Sequence, residues 1–157
     1  MLKRVYCPLS LKKYVTYTGC EVCSGWLTFS VFRSWMETQD WEDKELDKDL
    51  LYDGNKIYSA TTCIFVPRDV NVFTNSHGHG ARNKDSMMGC CWMKKLGKYS
   101  VRCGNPLTKK EEYLGLFISD VDGNLAWKSR KLELAYELIE YYKLPDKLAA
   151  VLINKYK

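Results

Sequence analysis

Asp47 and Asp49 flank Lys48, and Asn71 follows downstream; carboxylate and amide oxygens of this kind could approach one divalent ion beside a phosphate. The same two carboxylates read more simply as solvated strand residues or turn formers, because short acidic side chains bond their own backbone. His77-Gly78-His79 is half a metal site, set in the glycine-rich run from Asn75 to Asp85, which reads as an exposed loop. Cys20-x-x-Cys23 has zinc-knuckle spacing, but no second pair follows, and Cys63, Cys90, Cys91 and Cys103 would have to converge by folding. Buried, reduced thiols are the expectation for seven irregularly spaced cysteines, and no metal or cofactor is expected. The richest cationic pattern lies further on. Lys98, Ser100 and Arg102 alternate with Tyr99 and Val101, so a strand there turns the first three to one face and buries the other two. Cys91, Met93 and Tyr113 join the polar face, and Leu114 and Phe117 the buried one. Lys94, Lys95, Lys109 and Lys110 lie in or beside the turns, where long cations can reach phosphates flanking a sheet set into the major groove. The planar fork of Arg102 suits guanine O6 and N7, while the lysines suit phosphates. An ordinary solvated sheet face would carry the same pattern.

The elements that position these residues follow from periodicity. A chain of 157 residues holds one domain or two very small ones, and its net charge of +5 makes nucleic acid the default partner. Residues 1–10 form neither a signal-peptide core nor a membrane span, so a cytoplasmic protein without membrane association is expected. The opening through Lys13 has no period and predicts an irregular lead or strand fragment. Trp26, Phe29, Phe32, Trp35 and Met36 predict a helix with its aromatic side inward. Between Glu45 and Val66, two short strands around the Asp53-Gly54 turn are expected, followed by a short helix from Arg68 to Phe73 behind Pro67. Residues 76–86 read as a linker between modules 1–75 and 87–157. Three strands, Gly89 to Met93, Lys98 to Cys103 and Glu112 to Phe117, predict a hairpin-joined antiparallel sheet. A helix from about Asp122 to Tyr142, capped by Asp120 or Asp122, should cover one face, with a final helix from Asp146 to Tyr156 after Pro145. Trp127, Leu134 and Tyr141 fall off its expected apolar face and offer a contact for a two-fold dimer, which would suit a palindromic operator. The fold class is α+β.

The segment from Leu46 to Ser59, with Asp53-Gly54-Asn55 and Tyr58-Ser59, and the strand Cys63-Ile64-Phe65-Val66 resemble the degenerate HNH-type region of phage and mobile-intron homing endonucleases. Cys20-Glu21-Val22-Cys23 running into the aromatic stretch Trp26 to Met36 extends the resemblance, which covers roughly Tyr17 to Leu138. By that resemblance the N-terminal half is a degenerate ββα HNH-like module. Gly89-Cys90-Cys91-Trp92, Gly97 to Arg102 and Tyr113 to Phe117 are similar to the sheet of the plant Apetala-type DNA-binding domain. An HNH nuclease needs a histidine base at the end of its first strand. Here the chain reads Leu46-Asp47-Lys48-Asp49, and a lysine is a cation at neutral pH. The resemblance therefore implies a sequence-specific double-stranded DNA-binding protein without a catalytic residue, descended from a homing endonuclease and able to act as a transcriptional repressor. The alternative is an active Mg-dependent homing endonuclease using Asp47 or Asp49.

Overall fold

Residues 1–13 do not form a strand. In the computed structural model, which describes residues 1–75 and 86–157, they form two short helices, α1 (Leu2–Tyr6) and α2 (Pro8–Lys13). Pro8 stands at the start of α2, where its missing N–H costs nothing, and each helix is too short to display a hydrophobic period. Strand β1 (Glu21–Val22) and a 3-10 turn, Ser24–Leu27, lead into α3 (Phe29–Met36). The aromatic side of this segment does face inward: Trp26 lies 4.4 Å from Trp35 and 5.0 Å from Phe32, ring centre to ring centre. Phe29, expected on that face, is exposed.

Strand β2 (Lys44–Asp47) pairs antiparallel with β4 (Ile64–Pro67), running from Lys44 opposite Pro67 to Asp47 opposite Ile64. The Asp53-Gly54 turn does not join these two strands. It forms, with Gly54 at φ +74° and Asn55 N–H donating to the Tyr52 carbonyl, but inside the longer connection 48–63. Within that connection β3 (Ile57–Tyr58) pairs parallel with β1 instead. Val5, Cys20, Val22, Trp26, Tyr58 and Cys63 make the core of this part of the chain. Helix α4 (Arg68–Asn75) follows at once, so residues 44–75 run strand, strand, strand, helix, one strand more than expected, and of these strands only β2 and β4 pair with each other.

Contacts divide the chain into two compact units, Met1–Arg68 and Asp69–Lys157. The expected module boundary at residue 75 thus falls beyond α4. The Phe73 carbonyl accepts from Lys131 Nζ at 3.2 Å and from the Tyr156 hydroxyl at 3.1 Å, which ties α4 to the second unit. Most of the linker 76–86, with His77 and His79, lies outside the described residues.

The second unit carries the three-stranded antiparallel sheet β5 (Cys90–Met93), β6 (Lys98–Asn105) and β7 (Lys110–Phe117), packed on the long helix α5 (Asp120–Tyr142). Ser119, rather than either aspartate, caps α5, its hydroxyl accepting from Val121 N–H at 3.1 Å. Close approach of helix to sheet depends on Gly123: a methyl group there would sit 2.8 Å from Cys90 Sγ and 2.8 Å from Val101 Cγ2. Helix α6 (Asp146–Tyr156) packs on α5 as well. Because α5 is covered by both sheet and helix, it buries more of its circumference than one stripe. Trp127 and Leu134, expected on a free face, are therefore core residues, whereas Leu125 and Tyr141 are exposed.

Candidate nucleic-acid interface

The sheet has one face on α5 and one exposed face. Cys90, Val101 and Phe117 approach Gly123, and Glu112 accepts from Arg130 Nε at 2.6 Å, so these residues define the helix side. Cross-strand register then sets the opposite side: Cys91, Ser100 and Leu116 form one row, Met93 stands opposite Lys98, Arg102 opposite Tyr113, and Gly104 opposite Glu111. A bulge at Val101/Arg102 makes the register skip Leu114. The extra residue reverses the alternation along β7. Without it Tyr113 would point at α5, and Glu112 away from Arg130. Leu114 is thus the bulged residue rather than a regular member of the buried face.

The residues expected to touch DNA divide into three groups. Lys94 and Lys95, in the turn after β5, and Lys98, Arg102 and Tyr113, on the open face, are all exposed. Ser100 has the expected facing, but at 9% exposure between Cys91 and Leu116 it is nearly covered. Lys109 and Lys110 lie in and beside the turn between β6 and β7, as expected, and both are exposed. Lys109, in a left-handed turn conformation at φ +60°, forms an ion pair with Asp69, while Lys110 opposes Asn105 and shares the strand phase of Glu112 at the sheet's end. Neither belongs to the open face.

One residue was missed by sequence reasoning and alters the electrostatics. Glu111 is on the open face, where its carboxylate accepts from Arg102 Nη1 at 3.1 Å. Only the bulge puts it there, and the one local sign of it in the sequence is Gly115, a glycine inside the strand beside Leu114, at φ +128°. The carboxylate of Glu112 is held below its usual range by hydrogen bonds from Arg130 and Asn105. No family model, no curated protein and no solved structure matches this chain. The surface must therefore be read from its own chemistry: two cations and a tyrosine on a sheet, two more cations at its turn, and one carboxylate among them.

The acidic cluster of the first unit has a different character. Asp47 is 8% exposed, and its Oδ1 accepts from Asp49 N–H at 2.9 Å and Leu50 N–H at 2.7 Å. It is a turn former, though a buried one. Burial pushes its carboxyl pKa up, against the opposing pull of those two amides. Lys48 is also buried, its Nζ donating to Asp49 Oδ2 at 2.8 Å and to the Asn55 carbonyl at 3.1 Å. Asn55 returns the contact through Nδ2 to the Lys48 carbonyl at 2.6 Å. Among the described residues, no group of three or more His, Cys, Asp or Glu could hold a metal ion. All seven cysteines are free thiols, with Cys20, Cys63, Cys90 and Cys103 buried, and burial pushes Cys63 up to about 11. Among the described residues no helix is long and apolar enough to cross a membrane.

Proposed function

We propose that this chain binds double-stranded DNA sequence-specifically by setting the open face of β5, β6 and β7 into the major groove, with Arg102 reading a base and Lys94, Lys95 and Lys98 on flanking phosphates. The observation that carries the reading is the exposed sheet face bearing Lys98, Arg102 and Tyr113, its other side being taken by α5. The major groove admits elements of this width, and long cations at a turn can straddle its rim. The exposed ion pair between Arg102 and Glu111 is no obstacle, because such pairs contribute little and a bidentate base contact can replace it. On the same reading the first unit is a remnant of an HNH-type homing endonuclease of phage or mobile-element origin. Its antiparallel pair of β2 and β4 supports that descent, although the helix that follows, α4, packs in the second unit, and the commitment of Lys48 and Asp47 to loop hydrogen bonds supports a role without cleavage. Occupancy of a site near a promoter would repress transcription.

The test is duplex binding followed by fluorescence anisotropy across a salt series. Affinity should fall steeply as salt rises, since cations on the protein displace condensed counterions. A flat response would remove the groove from the reading. Plasmid nicking that needs Mg2+ and disappears in a folded Asp47→Ala variant would overturn the non-catalytic assignment.

A further inference from the structure

Cations are spread along this chain, but carboxylates are not. No Asp or Glu precedes Glu21, whereas Lys3, Arg4, Lys12 and Lys13 all do. Four of the five net positive charges therefore lie in residues 1–20, and the remainder, with its 19 carboxylates, is close to neutral. On the open sheet face Glu111 offsets Arg102, leaving Lys94, Lys95 and Lys98 as its cations.

The basic segment is fixed to a folded unit. Val5 is buried in the core of the first unit with Met1 packed beside it, the Tyr6 hydroxyl accepts from Val22 N–H at 3.1 Å, and Lys56 Nζ donates to the Thr16 carbonyl at 3.0 Å. Lys3, Arg4, Lys12 and Lys13 are all exposed. Arg4 donates to the Tyr17 hydroxyl at 3.3 Å and lies over that ring, which orients its guanidinium without neutralising it. We infer that the surface of α1 and α2 holds the phosphate backbone of duplex DNA, supplying the sequence-blind part of the affinity while the sheet supplies selectivity.

This inference rests on the DNA-binding reading above and adds a second surface to it. Leu2, Leu9 and Val15 are also exposed, and a lipid interface would use them. Interfacial binding, however, relies on one continuous apolar helix face, and α1 and α2 have five and six residues. Lys3, Arg4, Lys12 and Lys13 instead make a cationic segment with no carboxylate among them, which suits a polyanion.

The experiment uses the full chain and two variants, Lys12→Ser/Lys13→Ser and the same pair combined with Lys3→Ser/Arg4→Ser. Helix α2 contains no buried residue, so the first variant should keep its fold, as circular dichroism would check. Each is titrated with a random duplex and with a selected one. The double variant should lose about tenfold in affinity for both duplexes alike, and its salt slope should drop by about 2, that of the fourfold variant by about 3 to 4. If the parent binds duplex and both variants keep its affinity and slope, this inference fails while the sheet reading stands. If the parent binds no duplex at all, both fall. Retention on phosphatidylserine vesicles that is lost in these variants, with duplex binding unchanged, would also overturn it by assigning the surface to lipid.

Discussion

Taking an ammonium group out of water requires other groups to replace its hydration, and around Lys131 much of that replacement is aromatic. Its Nζ lies 3.8 Å from the centre of the Phe73 ring and 5.4 Å from those of Trp127 and Tyr156, and it donates to the Phe73 carbonyl. Burial pushes its pKa down to about 8. A folded value below the unfolded one means that, between about 8 and 10.4, the unfolded chain binds more protons, so stability rises with pH across that window. Comparison with Lys131→Met isolates the effect. From about pH 7 to about pH 10 the difference in unfolding free energy should move toward the wild type by roughly 1–3 kcal/mol, measured by urea unfolding. A difference independent of pH would mean that the amine titrates normally. Nothing in the sequence marks this lysine, which stands between Arg130 and Leu132 like any solvated helix residue; only the arrival of α4 and α6 encloses it. Asp47 is the parallel case in the first unit. Asp47→Ala should cost about 1–3 kcal/mol, because two amides lose their shared acceptor. Asp47→Asn, which keeps an acceptor oxygen, should recover most of that loss in the same measurement.

Elements were legible where their signals are local. The turn at Gly97 and the turn that starts at Pro106 delimit β6, which runs two residues past the Cys103 expected as its end, and Pro145 separates α5 from α6, so the sheet and both C-terminal helices follow from residues within a few positions of their ends. The Asp53-Gly54 turn is equally local and does form, yet which strands flank it depends on β1, far away in sequence, and no turn signal carries that information. The burial of Trp127 and Leu134 was illegible for a related reason: a helical stripe shows one packed face, and α6 supplies a second. The same crowding makes Gly123 the residue that sets the distance between α5 and the sheet. Alanine is the better helix former by about 1 kcal/mol, but its methyl group would meet Cys90 and Val101 too closely. Gly123→Ala should therefore destabilise the protein by about 1–3 kcal/mol despite its helix propensity. Gly104→Ala, with nothing within 4 Å of the added carbon and no positive φ, should stay near neutral when both variants are compared by urea unfolding. Equal effects at the two positions would mean that α5 has room to move away.

For the whole molecule, the question is how a net charge of +5, four of it in residues 1–20, could serve both holding and reading DNA. Two surfaces on two covalently joined units would each bind weakly alone, and linkage would raise the effective concentration of the second once the first engages. The sheet would then not need a large positive potential, and its Arg102–Glu111 pair can serve selectivity: the carboxylate costs affinity wherever Arg102 finds no base to replace it. Three substitutions separate these roles in competition binding against random duplex. Arg102→Ala should cost roughly 1–3 kcal/mol at the preferred site and much less elsewhere, since a bidentate base contact exists only where the right base stands. Lys95→Ala, in the turn beside the open face, should weaken both duplexes alike and lower the salt slope by about 1. Glu111→Gln should do the reverse of both, tightening binding to every duplex by removing a negative charge from the face, and tightening it more on random DNA than on the preferred site. The third result is the discriminating one. If Arg102 is occupied by Glu111 merely as a surface ion pair remote from DNA, Glu111→Gln leaves the ratio of preferred to random affinity untouched; if the pair lies in the groove, the ratio falls because the competitor that penalised wrong sites is gone.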